Sequence, residues 1–288
     1  MPARPSPTVR GRRLRHELRK IREQHGLTIE QVSERSDGDW NASTISRWET
    51  GDRRIRPADL RRLLDLYDVH DDQREILLTL ARQARERGWW RTYTDAVPAW
   101  FEVYLGLESE ASTIREYSPE LVPGLLQTAD YYRAFMRAAP GGVGDEEAIE
   151  RKAAVRLARQ EQLTGTDPPE YWAVLNEAVI RRMVGGPETM RAQLQQIAEM
   201  AEMAHVNVQV LTFRGGAHAA MNESFIVVGF PEPADPDVVY LESQAGSLYL
   251  EQRPEVERYA AMFSHLIAKA LDPDESRALI ARTAAEMT

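Results

Sequence analysis

Residues 41–49, Asn-Ala-Ser-Thr-Ile-Ser-Arg-Trp-Glu, carry side chains whose types and spacing suit contact with the edges of DNA bases. Ile45 and Trp48 are the large apolar residues of this run, three apart and so on one face of a helix. The opposite face offers Ala42, Ser43 and Thr44, all short, beside one long donor, Arg47. A helix must be short-sided and polar there to approach bases without clashing, and an arginine fork pairs with guanine through two hydrogen bonds. Asn41 has the side chain to cap this helix and to hold a phosphate at its N-terminus. Arg53, Arg54 and Arg56 follow in a basic loop and are placed to grip phosphates beside the groove, with Arg10, Arg12 and Arg13 joining from upstream. Thr28, at the start of an earlier helix, completes the set.

Such residues act only if other elements hold them in place. Thr28 reads as an N-cap followed by Glu30 and Gln31 in the first turn, with Val32 facing inward. A polar turn, residues 36–39, then leads to Trp40, which re-enters the core. Two short helices joined in this way form a helix-turn-helix, the second helix being the one that reads the groove. The first helix spans about residues 10–25 and buries Leu14, Leu18 and Ile21. A fourth starts at Pro57 with Leu60, Leu63, Leu64 and Tyr67 as its stripe, and a fifth covers 72–87 with Ile76, Leu77, Leu80 and Ala84. Residues 43–49 with Gly51 behind them resemble the xenobiotic-response-element class of helix-turn-helix regulators. The turn is longer than that family's norm at Gly38-Asp39, and Ile29 stands where a phosphate-binding glutamine is common. The resemblance also implies that Arg22 and Glu49 pair inside the head.

The chain has 288 residues, room for about two domains. It is 43% apolar, enough to build real cores, and without cysteine it has no thiolate chemistry and no disulfide. No apolar run is long enough to span a membrane, and the start lacks a signal peptide's apolar stretch, so a cytoplasmic, nucleoid-associated address is expected. The net charge of −9 is unevenly spread. Residues 1–94 hold 20 Lys and Arg against 15 Asp and Glu, whereas residues 95–288 hold 16 against 30. A basic head on an acidic body fits a DNA-binding domain joined to a regulatory one that repels DNA.

The expected organisation is a disordered arm at 1–9, an all-α DNA-binding domain at 10–87, a joint at 88–98 built around Trp89-Trp90, and an α+β domain at 99–288. In that last domain helical patterns fall at about 100–116, 128–138, 145–164, 178–184, 187–204, 254–271 and 274–286. Strand patterns fall at 171–175, 206–211, 225–230, 238–242 and 247–251, the last two as a hairpin, which predicts a mostly antiparallel sheet. The phrases at 108–111, 119–128, 155–160, 208–211 and 239–242 resemble the C-terminal module of WhiJ-like actinomycete regulators. That resemblance implies a developmental or secondary-metabolism regulator working with a small partner protein.

Other chemistry is thin. Six histidines, at 16, 25, 70, 205, 218 and 265, lack metal-ligand spacing, and neither a phosphate loop nor a nucleophile elbow is present, so no cofactor or metal is expected. The loop 214–223, with His218, Asn222 and Glu223, is the best pocket candidate, against the plainer reading of a strand connection. Glu177, Glu242 and Glu251 end or follow strands and could meet. The stripe Val256, Tyr259, Phe263, Leu266 and Ile267 reads as core or as an association face, and 119–128 as a candidate partner groove. The reading is a non-enzymatic regulator, repressor-like in action, that binds an operator in double-stranded DNA as a homodimer. Two alternatives stay open: an adaptor or antitoxin-like protein whose head no longer binds DNA, and an enzyme with a site around His218.

Overall fold

The computed structural model describes residues 7–85, 88–93, 96–138, 146–232, 235–243 and 246–287. The chain forms two compact units that part between Trp89 and Trp90. The first is a head of five helices: α1 (Pro7–Gln24), α2 (Ile29–Arg35), α3 (Ala42–Thr50), α4 (Pro57–Leu66) and α5 (Asp71–Gln83). Leu14, Leu18, Ile21, Val32, Ile45, Trp48, Leu60 and Leu64 build one core from the first four. Two expectations change. The helix starts at Pro7, not Arg10, because Val9 adds a buried turn; of the expected arm, residues 1–6 lie outside the described residues. Ile76 is 55% exposed, since Leu77, Leu80 and Ala81 set the inward face of α5.

The second unit is α+β. It runs α6 (Ala99–Glu108), β1 (Thr113–Ser118), α7 (Ala129–Ala138), α8 (Glu146–Gln160), β2 (Glu170–Asn176), α9 (Glu177–Arg181), α10 (Pro187–Met200), β3 (Val206–Leu211), β4 (Phe225–Gly229), β5 (Val238–Ser243), β6 (Gly246–Leu250), α11 (Arg253–Lys269) and α12 (Pro273–Glu286). The strands form one sheet in the order β3-β2-β1-β4-β5-β6. β1 pairs in parallel with β2, and β2 with β3, while the other three pairings are antiparallel, so the sheet is mostly antiparallel as its hairpin pattern implies. The expected tip of that hairpin includes residues 244–245, outside the described residues.

The central strand β1 lies where a helix over 100–116 is expected. Its sequence, Thr-Ile-Arg-Glu-Tyr-Ser, puts two charged residues in the middle of a sheet, which masks the strand pattern. Both are accommodated: Arg115 pairs with Asp237 at 2.9 Å, and Glu116 accepts a hydrogen bond from the Tyr171 hydroxyl at 2.8 Å. Ile114 faces one core, with Tyr171, Leu194 and Ile280, and Tyr117 faces the other, with Phe225 and Phe263. In that second core Tyr259, Phe263 and Leu266 are buried, with Val256 and Ile267 packed beside them, so this stripe of α11 is core and not an association face.

The segment 119–128 is likewise interior. Val122, Leu125 and Leu126 are buried, and glutamine amides replace the strand pairing that its prolines forbid. Gln193 donates to the Leu126 carbonyl at 2.7 Å and accepts from the Thr128 amide at 2.7 Å, while Gln127 donates to the Val122 carbonyl at 2.7 Å. The segment's large apolar side chains Val122, Leu125 and Leu126 are thus used in the core, which counts against the expected partner groove. Nearby, Glu108 and Arg159 form a buried two-point ion pair at 2.9 and 2.7 Å, tying the end of α6 to the end of α8. A Cβ at Gly124 would lie within 3 Å of the Arg156 and Arg159 guanidinium nitrogens, so any larger residue there would have to push these side chains aside.

Burial pushes the Glu116 carboxyl up to about 7, against the opposing pull of the Tyr171 hydroxyl and the Arg159 charge. A carboxyl whose folded pKa exceeds its unfolded value of about 4.3 contributes stability below that value and loses it as pH rises through 7. Urea unfolding at pH 5 and pH 8 should therefore show a fall in stability that Glu116→Gln lessens by up to about 3 kcal/mol. A pH dependence identical in parent and variant would count against this assignment.

Candidate nucleic-acid interface

The helix-turn-helix is assembled from local hydrogen bonds. Thr28 caps α2 in both directions: its hydroxyl accepts from the Gln31 amide at 3.2 Å, and the Gln31 side chain accepts from the Thr28 amide at 2.9 Å. Such a cap contributes about 1 kcal/mol. The long turn is closed by two serines. Ser33 donates to the Trp40 carbonyl at 2.8 Å, and the Ser36 hydroxyl donates to the Ser33 carbonyl at 2.7 Å while accepting from the Trp40 amide at 3.2 Å. Asp37 and Gly38 take the left-handed backbone at φ 53° and 86° that reverses the chain. The extra turn residues are thus absorbed locally, and Ile29 packs half-buried against the head core.

Trp40 then anchors the start of α3. Its ring meets Trp48 edge-on at 5.1 Å, its Nε1 donates to Asp59 at 3.2 Å, and Arg62 lies over it at 5.8 Å while pairing with Asp39. Asn41 accepts from the Thr44 amide at 2.8 Å, so its carbonyl oxygen serves as the helix cap and only its amide nitrogen is left to meet a phosphate. At the other end Gly51, at φ 91°, ends the helix in the left-handed conformation.

The decisive tie is between α1 and α3. Arg22 donates to both Glu49 oxygens, at 2.7 and 2.8 Å, and its third nitrogen donates to the Leu27 carbonyl at 2.8 Å. Both side chains are about nine-tenths buried, at 10% and 8% exposure. The hydrogen bonds from Arg22 to Glu49 raise the guanidinium pKa, and burial opposes this.

With Ile45 and Trp48 turned inward, the outward face of α3 centres on Ser43, Ser46, Arg47 and Thr50, with Ala42 and Thr44 on its flanks. Ser46 and Thr50 belong to this face and are absent from the sequence reading, although projecting 41–50 around the helix axis would have placed both opposite Trp48. The Thr50 hydroxyl is held by Asp52 at 2.7 Å. Arg47 is exposed, and its side chain forms no hydrogen bond or ion pair among the described residues, while its carbonyl accepts from the Gly51 and Arg53 amides. Arg53 and Arg54 are exposed on the loop beside it. Arg56 is exposed but engaged with Asp59 at 2.6 Å. Burial raises the Asp59 carboxyl, but hydrogen bonds from Arg56 and Trp40 outweigh it, and the pKa falls below the usual carboxylate range. Arg12 is 7% exposed and cannot reach a phosphate, which corrects its place in the expected set.

The other candidate chemistry disperses. His218 Nδ1 lies 3.3 Å from the Ala220 amide and Nε2 lies 3.3 Å from the Tyr117 hydroxyl, an arrangement in which Nδ1 accepts and no carboxylate among the described residues is paired with the ring. Burial, then the Lys269 charge, lowers its pKa. Glu177 accepts from the Phe213 amide and Arg181, and Glu242 from the Tyr240 hydroxyl, so these two carboxylates are engaged separately. No group of three or more acidic or histidine residues among the described residues is placed to hold a metal.

Residues 13–77 match a family model described as a helix-turn-helix domain, and residues 101–282 match one described as a domain of unknown function (DUF5753). The second match covers more than half of the chain. The protein belongs to the DUF5753 family. Its helix-turn-helix head points to a DNA-binding regulator, and no helix among the described residues is long and apolar enough to cross a membrane. Nothing matches among curated proteins or among solved structures.

In this DUF5753 protein, breaking the α1–α3 tie strands a buried charge. Glu49→Ala should lower stability by about 3–5 kcal/mol in urea unfolding. A loss below about 1 kcal/mol would mean that apolar packing alone positions α3.

Proposed function

We propose that the protein is a sequence-specific transcriptional regulator, repressor-like, whose α3 enters the major groove of a double-stranded DNA operator. One observation carries the reading: the Arg47 side chain projects from a short-sided polar face and has no partner among the described residues, on a helix whose opposite side is fixed by Glu49 and Trp48. In this reading Ser43 and Arg47 contact base edges, with Ala42 and Thr44 lining the approach. The Asn41 amide nitrogen, Thr28, Arg53 and Arg54 meet the phosphate backbone. Arg56 joins them by exchanging Asp59 for a phosphate.

Base and phosphate contacts separate by experiment. Arg47→Ala should weaken operator binding by about 1–3 kcal/mol and barely change binding to random duplex. The Arg53→Ala, Arg54→Ala double variant should weaken both and shallow the log–log salt slope by about 0.9 per lost contact. Equal losses on both duplexes for Arg47→Ala would make it a backbone contact.

The acidic residues 95–288 repel phosphate, which supports a separate task for this part of the chain: holding a homodimer and binding a small protein partner or effector. One recognition helix spans too few base pairs to select a genomic site, and two-fold dimers are the usual remedy. The resemblance of both parts to WhiJ-like actinomycete regulators supports a small protein encoded nearby as that partner, and a cytoplasmic site of action on the nucleoid. A partner acts on DNA affinity only by favouring one arrangement of the heads, typically by about 1–3 kcal/mol. Light scattering should give twice the 32.7 kDa chain mass, and titrating the neighbouring small protein should shift operator affinity. A monomer at micromolar concentration contradicts the first claim, and partner binding without that shift contradicts the second.

A further inference from the structure

The two edges of the sheet are finished differently. At the β3 edge the Val210 amide donates to the Ser276 hydroxyl at 2.9 Å, and the Val210 carbonyl accepts from the Leu271 amide at 3.0 Å. The approach to α12 thus stands where a further strand would. β6, at the other end of the sheet, has β5 on one side and no strand on the other. Among the described residues, the backbone of 247–250 bonds to β5 alone. Alternate residues of such an edge turn an N–H and a C=O outward, where another chain can pair with them.

Proteins usually blunt an open edge with charge, proline or a bulge. β6 reads Gly-Ser-Leu-Tyr-Leu, with neither charge nor proline, and its ladder to β5 runs through every residue without a bulge. Its middle residue, Leu248, is 54% exposed. The Tyr249 hydroxyl donates to the Trp100 carbonyl at 2.9 Å and holds the start of α6 beside the strand. Trp100 and Val103, three apart on α6, are exposed as well. This neutral, apolar edge belongs to a part of the chain, residues 95–288, with 30 acidic residues against 16 basic ones. A basic partner finds no carboxylate on β6, whereas a second, equally acidic copy meets no like charge there.

We propose that a second copy of this chain pairs antiparallel along β6, joining the two sheets into one across a two-fold axis. Such an axis stands perpendicular to the sheet and keeps each side chain on its own face, so it passes through a pair of identical residues. Pairing over the full length of Gly246–Leu250 makes that residue Leu248. Leu248 then packs against Leu248 of the second copy, and Ser247 lies opposite its Tyr249. This rests on the reading that residues 95–288 hold a homodimer, and it names the surface that does so.

The chain has no cysteine, so one introduced cysteine can link only copy to copy. Cα atoms of opposed antiparallel residues lie about 4.5–5.5 Å apart, within the span that a disulfide bridges. Mild oxidation of the full-length Leu248→Cys variant should therefore give a covalent dimer on a non-reducing gel. Phe213→Cys, an exposed position just past the opposite edge strand, should stay unlinked. Leu248→Lys sets like charges face to face and should weaken the dimer by about tenfold or more in light scattering. Both Leu248 variants change an exposed side chain, and the cysteine arm decides the matter even if the lysine variant misfolds. A parent dimer whose Leu248→Cys variant links no better than Phe213→Cys overturns the edge pairing and leaves the homodimer reading standing. A monomeric parent with an unlinked Leu248→Cys variant overturns both and leaves β6 to a strand from a different protein.

Discussion

The buried ion pair between Arg22 and Glu49 is the constraint on which the head depends. α3 has nine residues, too few to persist as an isolated helix in water, so its direction is set by what its inner face touches. Ile45 and Trp48 supply the burial, but apolar contacts tolerate small rotations. The two-point geometry of Arg22 on Glu49 does not, and the third hydrogen bond, to the Leu27 carbonyl, extends the same clamp to the entry of α2. A buried pair of this kind adds little net stability over a well-packed apolar pair. What it fixes here is the rotation of α3, and with it which side chains face outward.

The C-terminal domain uses the same device at a different place. Glu108 and Arg159 join two helix ends through a two-point pair, and the chain at Gly124 passes close over the guanidinium groups, which a Cβ there would displace. Around it, glutamine amides satisfy the irregular segment 119–128, and Glu116 lies on the central strand under the Tyr171 hydroxyl. The phrases that carry the sequence resemblance in this half, at 108–111, 119–128 and 155–160, are largely the ones that build this interior. In this chain they build a polar interior and do not mark an exposed site.

The head was legible because each of its signals is local: caps, a polar turn and apolar residues at helical spacing within one short window. The C-terminal sheet was legible at five strands for the same reason, alternation or a continuous apolar run. β1 escaped because its charged residues find partners on β2 and beyond β4, distant in sequence and invisible to periodicity. Ile76 and Arg12 failed in opposite senses. One apolar residue fell just off the buried face of α5, and one basic residue was turned inward by the direction of α1. On α3 the short residues near its start drew the eye, whereas the rotation set by Glu49 and Trp48 brings Ser46 and Thr50 to the same surface.

The central claim is that this fixed face reads DNA sequence. Repeated selection of a randomised duplex library by the full-length protein at physiological salt tests it most directly. The account predicts that the pool converges on a short motif containing guanine, and that the Ser43→Ala, Arg47→Ala double variant fails to enrich it. A pool that remains random through successive rounds with the parent protein would contradict sequence-specific recognition by α3.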